Sequence, residues 1–201
     1  NSMSPSWSPD GKFIYFLSDR SFTSLVGSPW GTRQPEPYFD ASEKIYHIPL
    51  QKGTRSPFRP DDELFSEKES DKKDQKVGVI IEQDGIQKRI AEVPVPAGNY
   101  YNLAVNDKAL YFMSAETGVN AKRHLSFVKI TNEKPKVETM ASEVSRFKMS
   151  ADGKTLAVGV ANEDNPSGTN TGGVFIYKYM NGNWVFIKQV NSPYEVNNTY
   201  L

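Results

Sequence analysis

Cysteine is absent from this 201-residue chain, and histidine occurs only twice. No disulfide or thiolate chemistry is therefore available, although a lack of cysteine does not fix the compartment. Two histidines far apart, His47 and His124, without any thiol beside them, do not make a zinc centre. No apolar run approaches the roughly 20 residues that a membrane-spanning helix needs. Charge of one sign is not in excess either: 24 Lys and Arg balance 24 Asp and Glu. That balance excludes the clustered basic surplus of a nucleic-acid binder. The first residues lack the basic, apolar, small-residue succession of a secretory leader, so no signal peptide is visible in this stretch. The compartment stays open between cytoplasmic and periplasmic or extracellular.

What the chain does have is one short phrase written three times. Ser6-Trp7-Ser8-Pro9-Asp10-Gly11-Lys12-Phe13-Ile14-Tyr15-Phe16-Leu17 is the first copy. The second runs from Asn102 to Met113 and turns at Asn106-Asp107-Lys108; the third runs from Phe147 to Val158 and turns at Ser150-Ala151-Asp152-Gly153-Lys154. Each copy is an apolar strand, a tight polar turn ending in Lys, and a second apolar strand. Asp in such a turn bonds its own backbone and Gly accepts positive φ. A hairpin reused at wide spacing is the mark of a β-propeller, whose blades repeat one supersecondary unit. The second and third copies begin 45 residues apart, about one blade, and the first and second roughly twice that. The expected fold is all-β: blades of four-stranded antiparallel sheets, three to four of them. Closed propellers have four to eight blades, so a partial ring is expected.

Strands are predicted at Phe13–Ser18, Lys44–Leu50, Val77–Gln83 and Gln87–Val93, the last two joined by an Asp84-Gly85 hairpin turn. Further strands are predicted at Tyr101–Val105, Ala109–Ser114, Leu125–Ile130, Val137–Met140, Ser145–Ser150, Thr155–Ala161, Val174–Tyr179 and Trp184–Val190. No helix is predicted. Residues 1–55 hold the first blade's elements, 56–76 a polar loop with the mixed-charge run Glu67–Asp74, 77–150 the middle blades and 151–201 the last. In Lys44–Leu50 alternation puts Ile45 and His47 on one side, Tyr46 and Ile48 on the other.

From Ser6 to about Leu156 the chain resembles the propeller region of tricorn-type serine peptidases. The residues that carry the resemblance are Trp7-Ser8-Pro9-Asp10-Gly11-Lys12 with Ile14–Arg20, then Lys44-Ile45-Tyr46, Ser56-Pro57-Phe58 and Asp61-Asp62-Glu63. Asp84-Gly85-Ile86 through Arg89 into Val93-Pro94-Val95-Pro96-Ala97-Gly98-Asn99-Tyr100 is the most specific stretch, followed by Val144-Ser145 and Ser150–Lys154. The resemblance implies a non-catalytic propeller that guides or filters peptides in proteolysis. Its partner would be a peptide or protein ligand, and open blade edges would allow self-association. The end of the chain, Asp152–Asn165 and Gly172–Trp184, is similar instead to an integrin-type (FG-GAP) repeat. That likeness implies the alternative of an extracellular protein- or glycan-binding module.

No catalytic, cofactor or metal residue is assigned. Family catalytic motifs have no match here, and no Gly-x-Ser-x-Gly elbow is present. A Ser-His-acid site needs a histidine placed to take a proton; His47 lies in a strand pattern and His124 follows Lys122-Arg123 in a turn-like segment, so both read as structural or surface residues. Asn162-Glu163-Asp164-Asn165 with Asn170 is oxygen-rich, but it lacks the alternating carboxylates of a calcium loop and carries Pro166 in its middle. Asp61-Asp62-Glu63 reads as a solvated turn rather than an acid–base pair. Trp7 and Trp184 read as blade core, Trp30 as an exposed anchor in a loop. Asn197-Asn198-Thr199 fits a glycosylation acceptor by pattern alone.

Overall fold

The computed structural model describes residues 1–23, 40–61, 78–118, 120–161 and 172–191. Trp30, Asp62, Glu63, the Glu67–Asp74 run, the Asn162–Asn170 loop and Asn197–Thr199 lie outside the described residues. Among the described residues the fold is three antiparallel sheets of four strands, each in chain order. The first contains β1 (Ser2–Trp7), β2 (Phe13–Ser18), β3 (Lys44–Pro49) and β4 (Ala91–Glu92). The second contains β5 (Asn99–Val105), β6 (Ala109–Ala115), β7 (Arg123–Lys129) and β8 (Val137–Ser142). The third contains β9 (Arg146–Met149), β10 (Thr155–Val160), β11 (Gly173–Met180) and β12 (Asn183–Asn191). These are three blades of a partial propeller, and three sheets do not close a ring.

The repeated phrase folds the same way each time. In the first copy Ser8 Oγ donates to Asp10 Oδ1 at 2.6 Å, and the Lys12 amide donates to that same oxygen at 3.0 Å. The Phe13 amide then donates to Ser8 Oγ at 2.9 Å. In the third copy Ser150, Asp152, Lys154 and Thr155 form the same set at 2.5, 3.0 and 2.9 Å. The turn glycines, Gly11 and Gly153, have φ of 66° and 67°. The turn of the second copy is shorter, and Asn106 alone does the work of both polar side chains. Its Oδ1 accepts from the amides of Lys108 and Ala109, both at 2.9 Å. The phrase is therefore a turn-closing device, which is why it recurs in sequence.

The first strands of the first two sheets also share a defect. The β1–β2 register slips between Met3 and Ser6, and the β5–β6 register between Tyr101 and Ala104. Ser4 and Asn102 take left-handed φ of 52° and 54° at those slips. A bulge of this kind bends the strand and raises its twist.

Side-chain alternation divides the core in two. Phe13, Tyr15, Leu17 and Ile45 of the first sheet pack with Leu103, Leu110, Phe112 and Val128 of the second. Ala109, Tyr111, Met113 and Leu125, on the opposite face of the second sheet, pack with Phe147, Leu156 and Val158 of the third. The middle sheet is thus buried on both faces, and Ala109 through Met113 in β6 are all buried. Burial of this apolar area, at about 25 cal/mol per Å², is what holds sheet on sheet. Asn102 Nδ2 adds a bond to the Phe147 carbonyl at 3.2 Å, and Asn106 Nδ2 reaches the Gly153 carbonyl at 3.4 Å.

Three expectations need correction. Residues 78–83 and 87–90 form no hairpin. Gly85, at φ 68°, leads instead into a four-residue 3-10 turn, Ile86–Arg89, and only Ala91–Glu92 joins the sheet. The reason is Arg89. Its guanidinium donates to the carbonyls of Pro49 (3.1 Å), Asp84 (3.2 Å), Leu50 (3.2 Å) and Glu82. Those bonds gather the chain around the end of β3 and replace a strand ladder. Trp7 is not core: it is half exposed at the end of β1. His124 is not in a turn but in β7, where its Nε2 faces Glu116 Oε1 at 3.2 Å.

Candidate functional site

Three places carry chemistry beyond packing. The first is a cleft between the second and third sheets, a cavity of about 270 Å³ lined by Tyr111, Phe127, Met140, Tyr177 and Trp184. Tyr111 and Phe127 are cross-strand partners in β6 and β7, so their rings lie side by side on one face. Their centroids are 6.0 Å apart with planes 26° from parallel. Trp184, in β12, meets Tyr111 nearly at right angles, 87° at 5.8 Å. Its Nε1–H donates to Tyr111 Oη at 2.9 Å. Burial, opposed by that bond, pushes the Tyr111 phenol up from its ordinary value. Met140 reaches the cleft because it is the extra residue of a β7–β8 bulge: Leu125 pairs with Ala141 and Ser126 with Thr139.

The second place is His47. Its side chain is fully buried, and neither ring nitrogen has a hydrogen-bond partner. Phe13, Tyr15 and Phe58 surround it with ring centroids 5.5 to 6.0 Å away. Desolvation pulls its pKa down to about 4, opposed by the neighbouring Ala91 backbone. The imidazole is therefore neutral at pH 7. A sealed, neutral histidine with no acid to orient it cannot act as a general base toward an outside substrate.

The third place is the pair of outer faces. On the first sheet Phe16 and Tyr46 stack on each other, and the Arg20 guanidinium lies over both rings at 4.9 and 5.0 Å. Met3 and Trp7 stand exposed nearby. On the third sheet Val174, Val185 and Val190 are all exposed. A shallow opening of about 500 Å³ there runs past Arg146, Lys148, Ala157, Gly159 and Val174. A propeller blade of this kind stacks a face on the next blade, and these two faces have no sheet on them among the described residues.

Among the described residues no three metal-ligating side chains come together. Asp61 takes part in none of the three places. Trp184 is half-buried and packs against the second core, as expected of a blade residue. The sequence reading missed the cleft, because its two walls come from residues 73 apart in the chain. It also missed the role of Arg89, although that residue sat inside the most specific stretch of the resemblance. An Arg shortly after Asp-Gly was the available signal.

Stacked four-stranded antiparallel sheets whose first hairpins close through the same turn define a propeller segment. The family model described as the tricorn protease second beta propeller domain matches residues 1–163. The chain belongs to that family. Among solved structures it is similar to the crystal structure of the tricorn protease, with a TM-score of 0.62 and 18% identity over 96% of this chain. At that identity the likeness concerns the fold. The match spans 18% of the tricorn protease chain. No curated protein sequence matches. The integrin-type reading of the C-terminal segment gains nothing from these matches, and the third sheet repeats the strand order of the other two.

Proposed function

We propose that this chain is a non-catalytic propeller portion of a tricorn-like serine peptidase, and that it guides or filters peptide substrates on their way to an active site elsewhere. The observation that carries the reading is membership of the tricorn second-propeller family over residues 1–163. The state of the two histidines supports it. His47 is sealed in an aromatic cluster, and His124 has a glutamate but no serine hydroxyl at its ring nitrogens among the described residues. The exposed apolar residues on the first and third sheets support a place in a larger stack, with further sheets or a second copy as the neighbour.

Fluorescence anisotropy with labelled unfolded peptides tests the proposal, with mass spectrometry of the same mixtures reading cleavage. Saturable binding with intact peptides is the expected result. Cleavage at a catalytic rate by the purified chain would contradict the non-catalytic assignment, and failure to bind any peptide would remove the guiding role.

A further inference from the structure

We propose that the cleft between the second and third sheets is a binding site for an alkylated ammonium group, such as the head of a quaternary amine or a methylated lysine side chain. The proposal stands apart from peptide guiding and rests on the cleft's own geometry.

Four of the five lining side chains are aromatic. Tyr111 and Phe127 form one wall and Trp184 stands across it at 87°. An aromatic ring carries a negative quadrupole on each face, and four such rings line this cleft. The indole N–H of Trp184 is already committed to Tyr111 Oη at 2.9 Å. It is therefore not free to donate to a peptide carbonyl, as recognition of a proline-rich segment would require. Attraction between a cation and ring faces needs no donor. The lining contains no Lys or Arg. Glu138 pairs with Phe127 across the β7–β8 ladder, so it sits on the same face, beside the cleft. Its carboxylate has one cationic partner among the described residues, Lys129, at 3.7 Å, and both side chains are about half exposed or more. An incoming ammonium would compete with Lys129 for that carboxylate. At about 270 Å³ the space is below the range of drug-sized pockets, which suits a small head group.

Isothermal titration of the full chain with choline, with a trimethyllysine peptide and with the neutral isostere 3,3-dimethylbutan-1-ol tests this. The expected result is saturable binding of at least one ammonium compound, with the neutral isostere roughly fivefold weaker or more. Binding of the peptide alone identifies a modified lysine as the source, and binding of choline identifies a free head group. Phe127→Leu and Tyr177→Leu should each weaken binding about threefold or more while keeping cooperative unfolding. The Trp184 indole resonance should move during the titration. If neither ammonium compound saturates, or if the neutral isostere binds as tightly, the proposal is overturned. That comparison uses the unaltered chain, so it decides even if a variant fails to fold.

Discussion

Acidification from pH 7 toward pH 4 should weaken the first sheet through a single residue, His47. In the unfolded chain an imidazole takes its proton near pH 6.5; in the fold His47 takes it only near about 4. Above pH 6.5 the ring is neutral in both states and contributes nothing to the pH dependence. Between those values the unfolded chain binds more protons than the folded one, so stability falls as pH drops. Below about 4 the fall is complete. A gap of about 2.5 pH units corresponds to about 3 kcal/mol. Three aromatic rings, Phe13, Tyr15 and Phe58, surround the imidazole, and the value of about 4 already includes the opposing effect of the Ala91 backbone. Carboxylates act in a different window. Asp19, Asp40 and Asp152 are held below their ordinary 3.8, and Glu143 below 4.5, by hydrogen bonds. The stability they provide is present above those values and is lost only at lower pH. The range from 4.5 to 6.5 therefore reports His47. Urea unfolding at half-unit pH steps, on the natural chain and on His47→Leu, measures it. The natural chain should lose about 2 kcal/mol across that range and His47→Leu much less. At pH 7 His47→Leu should be at least as stable, because it removes two buried nitrogens that lack partners. Parallel pH curves for the two proteins would refute the reasoning.

Three further substitutions probe the fold. Arg89→Ala should cost about 2 kcal/mol in urea unfolding, because four carbonyls lose a charged donor; Arg89→Lys should recover less than half of it, since an ammonium cannot reproduce the fork. Gly153→Ala should cost about 2 kcal/mol or more, since a Cβ there meets Asn106 Cβ at 2.8 Å on a backbone at φ 67°, whereas Gly182→Ala, at φ 83° in open space, should cost about 1. Ser8→Ala should destabilise more than Ser150→Ala, each by roughly 1 to 2 kcal/mol in thermal melts, because Ser8 is buried where it holds the Phe13 amide and Ser150 is more open.

The legible parts of this fold are the ones decided locally. Ser8-Pro9-Asp10-Gly11-Lys12 and Ser150–Lys154 announce their turns because their Ser and Asp side chains bond backbone within five residues. Alternation in Lys44–Leu50 put Ile45 and His47 on one side, and both are fully buried. The failures come from distant partners. Asp84-Gly85 reads as a hairpin in isolation, yet Arg89 binds carbonyls up to 40 residues away and turns the chain into a 3-10 segment. Trp7 looked like core because it heads the repeated phrase, but its equivalent in the second copy is Val105, a smaller side chain that is buried where Trp7 is exposed. The aromatic cleft depends on a contact between Trp184 and Tyr111, and no local pattern in β6 or β12 encodes that meeting.

Amide hydrogen exchange, resolved by residue, tests the stacking of three sheets most directly. If the middle sheet is packed on both faces, amides of Leu110–Met113 in β6 should exchange slowest, near the global unfolding rate, and those of Val185–Val190 in the outermost strand β12 much faster. Equal protection of β6 and β12 would contradict the stack and point to two facing sheets instead.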